Sequence, residues 1–312
     1  MENLDNRNVA DWDARVPVLK PMMERTKADI ILLQEINSID ALNELRQGTH
    51  YENHQITHTI TGSGSPYAER NLVVLSRFPI LETKQYMNDK VSAPEWKKVT
   101  ARPEEEPKKV RWERPILHVT IKLANGKKLH VINLHLKSKI PTPIPGQIDP
   151  NNNFRWLTHG GFSEGFFISS IKRVGQALET RLLIDEIFSQ EGNNALIVIG
   201  GDFNAEIGSV PFKAIVGSVE DTGNISLRPS VLVPCELNVP PEQRFSLLHR
   251  GQGNMLDHVI VSQEFYSHWL HTKIFNELLP DESIAFATDE KFPDSDHAPV
   301  NAYFSVPDSW LS

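Results

Sequence analysis

Short apolar runs that end in polar residues restrict the fold of this chain more than any other feature. Asp29-Ile-Ile-Leu-Leu-Gln-Glu35 is one such run, and Ala195–Ile199 followed by Gly200-Gly-Asp-Phe-Asn204 is another. Apolar runs of about four to eight residues are typical of buried strands, whose side chains point alternately to opposite faces. We therefore expect a core of buried strands with polar groups at its rim.

The rest of the chain alternates strands with a few helices. Residues 16–27 have helical spacing, and Pro17 and Pro21 predict a late or kinked start. Residues 115–136 predict two strands joined by a tight turn at Asn125-Gly126. A long helix is predicted from apolar residues three to five positions apart: Ile168, Ile171, Val174, Leu178, Leu182 and Ile187. Further strands are predicted at 70–76, 256–262 and 298–306, the last with Val300, Ala302, Phe304 and Val306 on one face. This pattern predicts one α/β domain over residues 1–312.

Composition limits the classes of function. The net charge of −8 argues against a protein that coats nucleic acid through a global positive field, although a local basic patch stays open. The apolar runs are far shorter than the roughly 20 residues that a membrane span needs, and no secretion signal is visible. We expect a soluble monomer, with the cytoplasm favoured and export left open. The single cysteine, Cys235, is expected to be an inert thiol.

Two segments are predicted to be surface loops. Residues 84–114 are dense in Lys, Arg and Glu, and residues 138–165 are rich in Pro, Asn and Gly. Loops of this length are usually either disordered or functional, so these segments could face a substrate or be solvated loops without a function. The aromatic residues Phe154, Trp156 and Phe162 would stack on bases or form a small core of the loop itself.

Several residues at predicted strand ends can carry chemistry. Glu35 ends its strand at the rim of the core, where it needs a partner: a metal ion, or an Arg or Lys in a salt bridge. Asp202 and Asn204 are two positions apart, so they could orient a water molecule and hold a phosphate oxygen, or form an Asx turn. Asn133 and His135 share one strand face. With an ordinary pKa of about 6.5, His135 could donate a proton to a leaving alkoxide or steady a phosphate, or be a satisfied strand histidine.

The last two strands carry another acid–imidazole pattern. Asp257 starts one strand, and Ser295-Asp296-His297 leads into the final strand. His297 could accept a proton from water or stabilise charge on phosphorus, with Asp257 on its opposite ring nitrogen. Asp296 could help to bind a metal. His258 should point away from the face of Asp257 and is expected to be structural.

Five blocks together resemble the endonuclease/exonuclease/phosphatase superfamily of deoxyribonuclease I-like proteins. The blocks, which run in family order from residue 33 to 297, are Leu33-Gln-Glu35, Asn133-Leu-His-Leu136, Gly201-Asp-Phe-Asn204, Leu256-Asp-His258 and Ser295-Asp-His297. The resemblance implies a four-layer α/β/β/α sandwich, with two mixed sheets face to face, helices outside, and the active site where strand ends meet. It also implies dependence on Mg²⁺ or Mn²⁺, with Ca²⁺ as a further possibility.

Roles follow from the resemblance position by position. It implies that Glu35 and Asp296 bind the metal, that Asp202 orients or deprotonates the water, and that Asn204 holds phosphate. It pairs Asp257 with His297, and His135 completes the catalytic set. The opening Met1-Glu-Asn-Leu4 resembles the family's first block without its strand and leading Asn. Glu2 would then be the matching metal-binding acid, and we expect that residues before Met1 have been lost.

Three functions remain open at this point. The first is a nuclease acting on DNA or RNA, with Asn133, Lys137 and Lys139 in contact with the substrate and basic residues of 84–114 on backbone phosphates. The second keeps the chemistry but acts on a phospholipid headgroup, an inositol phosphate or another small phosphoester. The third is an inactive binding module, which the intact polar blocks argue against.

Overall fold

The structure is a computed structural model that describes residues 9–60, 70–112, 114–287 and 293–311. The α-helices are α1 (Val9–Thr26), α2 (Ile39–Arg46), α3 (His159–Glu191), α4 (Val210–Val216), α5 (Val219–Thr222), α6 (Gln263–Tyr266) and α7 (Glu282–Ala287). The strands are β1 (Ile30–Ile36), β2 (Gln55–His58), β3 (Asn71–Ser76), β4 (Ile80–Tyr86), β5 (Glu95–Trp96), β6 (Lys108–Lys109), β7 (Ile116–Lys122), β8 (Lys128–His135), β9 (Ile148–Asp149), β10 (Asn152–Trp156), β11 (Leu196–Asp202), β12 (Val233–Pro234), β13 (Leu247–His249), β14 (Gln252–Asn254), β15 (Asp257–Val261), β16 (Trp269–Ile274) and β17 (Val300–Phe304). The predicted strands at 29–35, 70–76, 195–199, 256–262 and 298–306 are confirmed as β1, β3, β11, β15 and β17.

The strands form two principal sheets. The large sheet has the order β12-β15-β11-β8-β7-β4, with β11 and β8 parallel and the other neighbours antiparallel. The small sheet has the order β1-β3-β2, and both of its pairings are antiparallel. Within the described residues, only the large sheet is therefore mixed, and the expectation of two mixed sheets is wrong for the small sheet. The pairs β5–β6, β9–β10, β13–β14 and β16–β17 form separate two-stranded ribbons.

The two sheets face each other across an apolar core. Val74 of the small sheet and Val131 of the large sheet are fully buried in one cluster. Leu19 of α1 and Leu42 of α2 cover the other face of the small sheet, and Ile184 of α3 covers the other face of the large sheet. The order helix, sheet, sheet, helix confirms the expected four-layer sandwich.

Helix α1 begins earlier than the expected range of 16–27. It starts at Val9 and continues through both Pro17 and Pro21, so the predicted late start is wrong. An interior proline costs a helix roughly 3 kcal/mol. Burial of Trp12 and Leu19 against α2 and the small sheet offsets this cost.

The hairpin between β7 and β8 is confirmed, and the chain reverses at the predicted Asn125-Gly126. The turn there is a 3₁₀ turn over Ala124–Gly126. Gly126 supplies the positive φ of 76° that lets the chain return to β8.

Helix α3 buries a different face from the one predicted. Ile168 and Ile187 are buried, but Leu178 and Leu182 are 45% and 39% exposed. The buried face instead includes Gln176, whose amide is hydrogen-bonded inside the protein. Among the helices that the structure describes, none is both long and apolar enough to cross a membrane.

The segment 84–114 is held to α3 by two acidic residues. Glu179, which is fully buried, accepts hydrogen bonds from the backbone N–H groups of residues 88–90 and from Nε1 of Trp112. Glu164 accepts hydrogen bonds from Nε1 of Trp96 and from the backbone N–H groups of residues 99 and 100. The segment is therefore mostly a surface loop, as expected, but it is fixed against α3.

The segment 138–165 is also structured. It contains the ribbon β9–β10 and the first turns of α3. Trp156 is half-buried, contacts the ring of Phe162 at 5.7 Å and packs on a small apolar cluster, which matches the small-core interpretation. Phe154 is 85% exposed.

A mainly apolar cavity of about 450 Å³ lies between β1 and β17. Asp257 and His297 are among the residues that line it.

Candidate active site

Strand register brings three of the predicted residues together. The parallel pairing of β8 with β11 places His135 beside Asp202, and the antiparallel pairing of β11 with β15 places Asp257 on the other side of Asp202. His297 reaches the same edge from the segment before β17. Residues far apart in the sequence therefore meet at one edge of the large sheet.

Asp202 is held by the turn that follows its strand. Its Oδ1 accepts a hydrogen bond from the backbone N–H of Asn204 at 2.7 Å, and its Oδ2 accepts one from Nδ2 of Asn204 at 2.8 Å. This is the Asx turn that the sequence left open, and Asn204 has a positive φ of 47°. Nδ2 of Asn204 also donates to the carbonyl oxygen of Leu136 at 3.1 Å. Both hydrogens of this amide are thus engaged within the protein.

His135 lies between two acidic residues. Its Nε2 is 3.3 Å from Oδ2 of Asp202 and 3.7 Å from Oε1 of Glu35. Burial, together with the charge of Arg114, lowers the pKa of His135 despite both carboxylates. A ring that carries a proton on Nε2 and donates from it fits these contacts.

The electrostatics of Asp202 follow from the same contacts. Burial alone raises the pKa of Asp202, but the hydrogen bond and charge of His135 and the charge of His297 lower it well below its usual range. Asp202 is therefore a carboxylate at neutral pH.

Asp257 and His297 form the expected pair. Nδ1 of His297 lies 2.6 Å from Oδ2 of Asp257. Burial alone would lower the pKa of His297, but Asp257 raises it well above its ordinary value, with Asp202 and Asp296 adding to the effect. His297 therefore carries a proton, with Nε2 left for a phosphate oxygen.

Glu35 occupies a bulge near the end of β1. Its φ is +56°, and the register between β1 and β3 shifts between Leu33 and Ile36. Its Oε1 lies 3.1 Å from Nη1 of Arg70 and 3.4 Å from Nη2 of Arg114. The salt bridge predicted as the alternative to a metal is therefore present, but it uses only one of the two carboxylate oxygens. Burial alone raises the pKa of Glu35. The charges of His135, Arg114 and Arg70 lower it by more, so the pKa of Glu35 lies below its ordinary value.

Two carboxylate oxygens point to a cation. Oε2 of Glu35 and Oδ1 of Asp296 are buried and have no hydrogen-bond partner among the residues that the structure describes. A buried carboxylate oxygen without a donor is costly, and oxygen-preferring cations such as Mg²⁺ remove that cost. In addition, Asp202, Asp257 and His297 each offer a ligand atom, and these atoms lie within 4.8 Å of one another. The residues therefore fit a divalent cation. Glu2 lies outside the described residues.

The predicted substrate-binding residues have other contacts. Asn133 is fully buried, and its Nδ2 donates to the carbonyl oxygens of Leu33 and Val73 in the small sheet at 3.0 and 2.9 Å. Nζ of Lys137 donates to the carbonyl oxygen of Ile140 at 3.0 Å. Nζ of Lys139 forms an ion pair with Glu206 at 2.5 Å. The amide of Asn133 connects the two sheets, and the structure does not present it to a substrate.

Two further residues have the roles that the sequence predicted. His258 is buried, with Nδ1 2.6 Å from Oε1 of Glu236 and Nε2 2.8 Å from the carbonyl oxygen of Ala205, so it is structural. Cys235 is fully buried, and burial raises the pKa of its thiol, as expected for an inert cysteine.

Sequence reasoning did not identify the arginines that hold Glu35. Arg70 precedes β3 and Arg114 precedes β7, and neither belongs to one of the polar blocks. The only signal was the general need of a buried acid for a basic partner, which does not select between the many Lys and Arg residues of the chain.

The model of the Endonuclease/Exonuclease/phosphatase family matches residues 3–297. No curated protein matches the chain. Members of this family hydrolyse phosphate esters and typically use divalent metals.

Solved structures share the fold at low identity. Truncated TDP2 from Caenorhabditis elegans is 15% identical, with 97% of this chain and 95% of that chain covered and a TM-score of 0.57. A mannosyl-6-phosphatase from Bacteroides thetaiotaomicron is 17% identical, with coverage of 96% and 94% and a TM-score of 0.53. The 3' phosphatase NExo from Neisseria, bound to a product DNA hairpin, is 16% identical, with coverage of 94% and 95% and a TM-score of 0.53. Because the family model spans nearly the whole sequence, this chain belongs to the Endonuclease/Exonuclease/phosphatase family.

Proposed function

We propose that this chain is a divalent-metal-dependent hydrolase of phosphate esters, folded as one domain and active as a monomer. The observation that carries the proposal is the convergence of Asp202, Asp257 and His297, which have polar side-chain atoms within 4.8 Å of one another. The unpartnered oxygens of Glu35 and Asp296 support a cation at the same edge.

Each residue has a role that its contacts allow. Asp202 is an ionised acceptor that orients the attacking water and takes its proton. His297, fixed through Nδ1 by Asp257, presents Nε2–H to the phosphate and stabilises the charge that develops there. His135 keeps Asp202 ionised and in place through its Nε2. Asn204 orients Asp202, and it can reach a phosphate oxygen only by giving up one of its two hydrogen bonds.

Glu35 and Asp296 would hold the cation beside these groups. When bound, the cation neutralises charge on the phosphate oxygens. Mg²⁺ and Mn²⁺ are the ions we propose, because carboxylate oxygens suit them.

The first candidate substrate is a DNA or RNA phosphodiester. It is supported by the family match and by the structural likeness to a DNA-bound phosphatase. The exposed ring of Phe154 on the ribbon β9–β10 is available to stack on a base.

The second candidate is a small phosphoester or a lipid headgroup, and ion pairing in the segment 84–114 favours it. Nζ of Lys98 lies 3.4 Å and Nζ of Lys108 2.8 Å from carboxylate oxygens of Glu105, and Lys97 pairs with Glu104. These pairs reduce the net positive charge that a long nucleic acid would need for backbone contacts.

The test is a substrate panel with Mg²⁺, with Mn²⁺ and with chelator. The panel contains plasmid DNA, single-stranded DNA, RNA, sphingomyelin, an inositol phosphate and bis-p-nitrophenyl phosphate. We expect metal-dependent turnover that falls by at least about a hundredfold in Asp202→Asn and His297→Ala. The control Asp221→Asn, which removes an exposed ion pair with Lys213, should behave as the wild type. Turnover that survives chelation, or full activity in either site variant, contradicts the proposal.

A further inference from the structure

The carbonyl oxygen of Leu136 accepts hydrogen bonds from two side chains of the site region. Nη1 of Arg114 donates to it at 3.2 Å, and Nδ2 of Asn204 donates to it at 3.1 Å. Nη2 of Arg114 lies 3.4 Å from Oε1 of Glu35. One guanidinium therefore connects the acid of the small sheet to the turn that holds Asp202 on the large sheet.

The environment makes this connection specific to arginine. Arg114 is 9% and Glu35 is 8% exposed, and a buried charge must be paired to be tolerated. The planar guanidinium places two N–H groups at a fixed spacing, so it can contact a carbonyl and a carboxylate at once. A lysine ammonium in the same place is a single point charge on a flexible stem.

The backbone of Arg114 is fixed from the opposite side by α3. Nε2 of Gln176 donates to the carbonyl oxygen of Arg114 at 3.0 Å, and Oε1 of Gln176 accepts from the backbone N–H of Lys137 at 2.8 Å. Gln176 is 1% exposed. One amide thus ties the segment of Arg114 to the residue that follows Leu136.

We infer that Arg114 is a positioning residue that sets the distance between Glu35 and the Asp202–Asn204 turn, and that Gln176 fixes Arg114 for this task. The part of this inference that concerns cation binding and turnover rests on the proposed function. Its structural part, the link from Arg114 to Asn204 through Leu136, does not depend on activity.

The experiment compares Arg114→Lys with a matched control, Arg70→Lys. Both residues contact the same oxygen of Glu35, but in the described structure only Arg114 also contacts Leu136. The first measurement is titration of the metal-free protein with Mn²⁺ by calorimetry. We expect Arg114→Lys to weaken Mn²⁺ binding by about tenfold or more, and Arg70→Lys to weaken it by less than about threefold.

The second measurement reports the geometry without metal or substrate. In protein labelled with ¹⁵N at asparagine, we expect Arg114→Lys to shift the side-chain amide signal of Asn204 and to leave the signals of distant asparagines in place. The Asn204 signal is assigned by its loss in Asn204→Ser. The control Arg70→Lys should leave this signal unchanged.

A double-mutant cycle tests whether Arg114 acts through Glu35. In a Glu35→Gln background, the effect of Arg114→Lys on Mn²⁺ affinity should largely disappear, because the acid it positions is no longer charged. Additive effects, or an unchanged Asn204 signal in Arg114→Lys, overturn the inference. If Arg114→Lys unfolds, Gln176→Met replaces it, and the same Asn204 shift and loss of Mn²⁺ affinity are required. A wild type that turns over no substrate but shows both effects would refute the proposed function and leave the positioning role standing.

In an active enzyme, the effect should fall on kcat at saturating Mn²⁺ more than on KM, because Arg114 does not touch the substrate in this assignment. A change confined to KM would instead place Arg114 in contact with substrate and overturn the positioning role.

Discussion

Substitution by alanine should destabilise the protein strongly at Gly201 and hardly at all at the adjacent Gly200. Gly201 has a φ of +126°, and a Cβ built on it would lie 2.1 Å from the carbonyl oxygen of Leu134. A Cβ on Gly200 would meet the Cδ2 methyl of Leu32 at 3.2 Å and the carbonyl oxygen of His258 at 3.4 Å. The first contact is with the backbone of a paired strand, and the second is mainly with a side chain that can move.

The magnitudes follow from these contacts. Real Cβ contacts are not shorter than 3.0 Å, so β8 and β11 would have to separate by about 1 Å at Gly201. A strained positive φ costs of order 1–3 kcal/mol, and a lost ladder hydrogen bond adds about 1 kcal/mol. We expect Gly201→Ala to lower the free energy of unfolding by roughly 2–4 kcal/mol. For Gly200→Ala we expect a change within about 1 kcal/mol, because lower entropy of the unfolded chain offsets the displaced methyl.

The same displacement should affect the site. Gly201 pairs with Leu134, and the next pair along the two strands is Asp202 with His135. Separation of the strands lengthens the contact between these two side chains, so turnover should fall at least about tenfold in Gly201→Ala. Urea unfolding followed by circular dichroism, with hydrolysis of bis-p-nitrophenyl phosphate in Mn²⁺, measures both effects. Equal urea midpoints for the two variants would refute the steric reasoning.

Three further predictions concern other parts of the molecule. Glu179→Ala removes the acceptor of three backbone N–H groups and of Nε1 of Trp112, so we expect the free energy of unfolding in urea to fall by about 4 kcal/mol or more. In the exposed control Glu186→Ala, it should fall by less than about 1 kcal/mol. Burial lowers the pKa of His118 to about 4, whereas the pKa of this imidazole in the unfolded chain is about 6.5. As the pH falls from about 6.5 to 4, His118 is therefore protonated in the unfolded chain but not in the native state. The free energy of unfolding should fall by about 3 kcal/mol across that window. The loss should be absent in His118→Phe, and an unchanged pH profile in that variant contradicts the assignment. Mn²⁺ at about a hundred times its dissociation constant should stabilise the wild type by about 2.7 kcal/mol in thermal unfolding, and Glu35→Gln should remove most of this shift.

Much of the site could be predicted because its residues follow short apolar strands. The runs that end at Glu35 and at Asp202 identify buried strands, and their polar ends must lie at a sheet edge. The pairing of Asp257 with His297 follows from the same pattern, and the structure confirms it. Strand register, which brings His135 beside Asp202, is not readable from either strand alone, since it depends on the pairing partner.

Other features have no local signal in the sequence. The positive φ of Glu35 is unusual for a residue with a long side chain, and it depends on the bulge between β1 and β3. The spacing of apolar residues predicted the wrong buried face for α3. Polar Gln176 and Glu179 lie on the buried face of this helix, while Leu178 and Leu182 face outward. A polar residue with a satisfied hydrogen bond can be buried, and the partner that satisfies it lies elsewhere in the chain.

Asn133 shows how the site depends on the contact between the sheets. Its Nδ2 bridges the carbonyl oxygens of Leu33 and Val73, and its strand ends two residues later at His135. Glu35, two residues after Leu33, is the only one of the predicted site residues within the described structure that the small sheet supplies. Because a fully buried amide with its bonds satisfied resists sliding of one sheet over the other, Asn133 fixes the position of Glu35 relative to His135. The site therefore depends on alignment between two layers as well as on its own hydrogen bonds, and substitutions in the intervening core should weaken cation binding even where they touch no ligand.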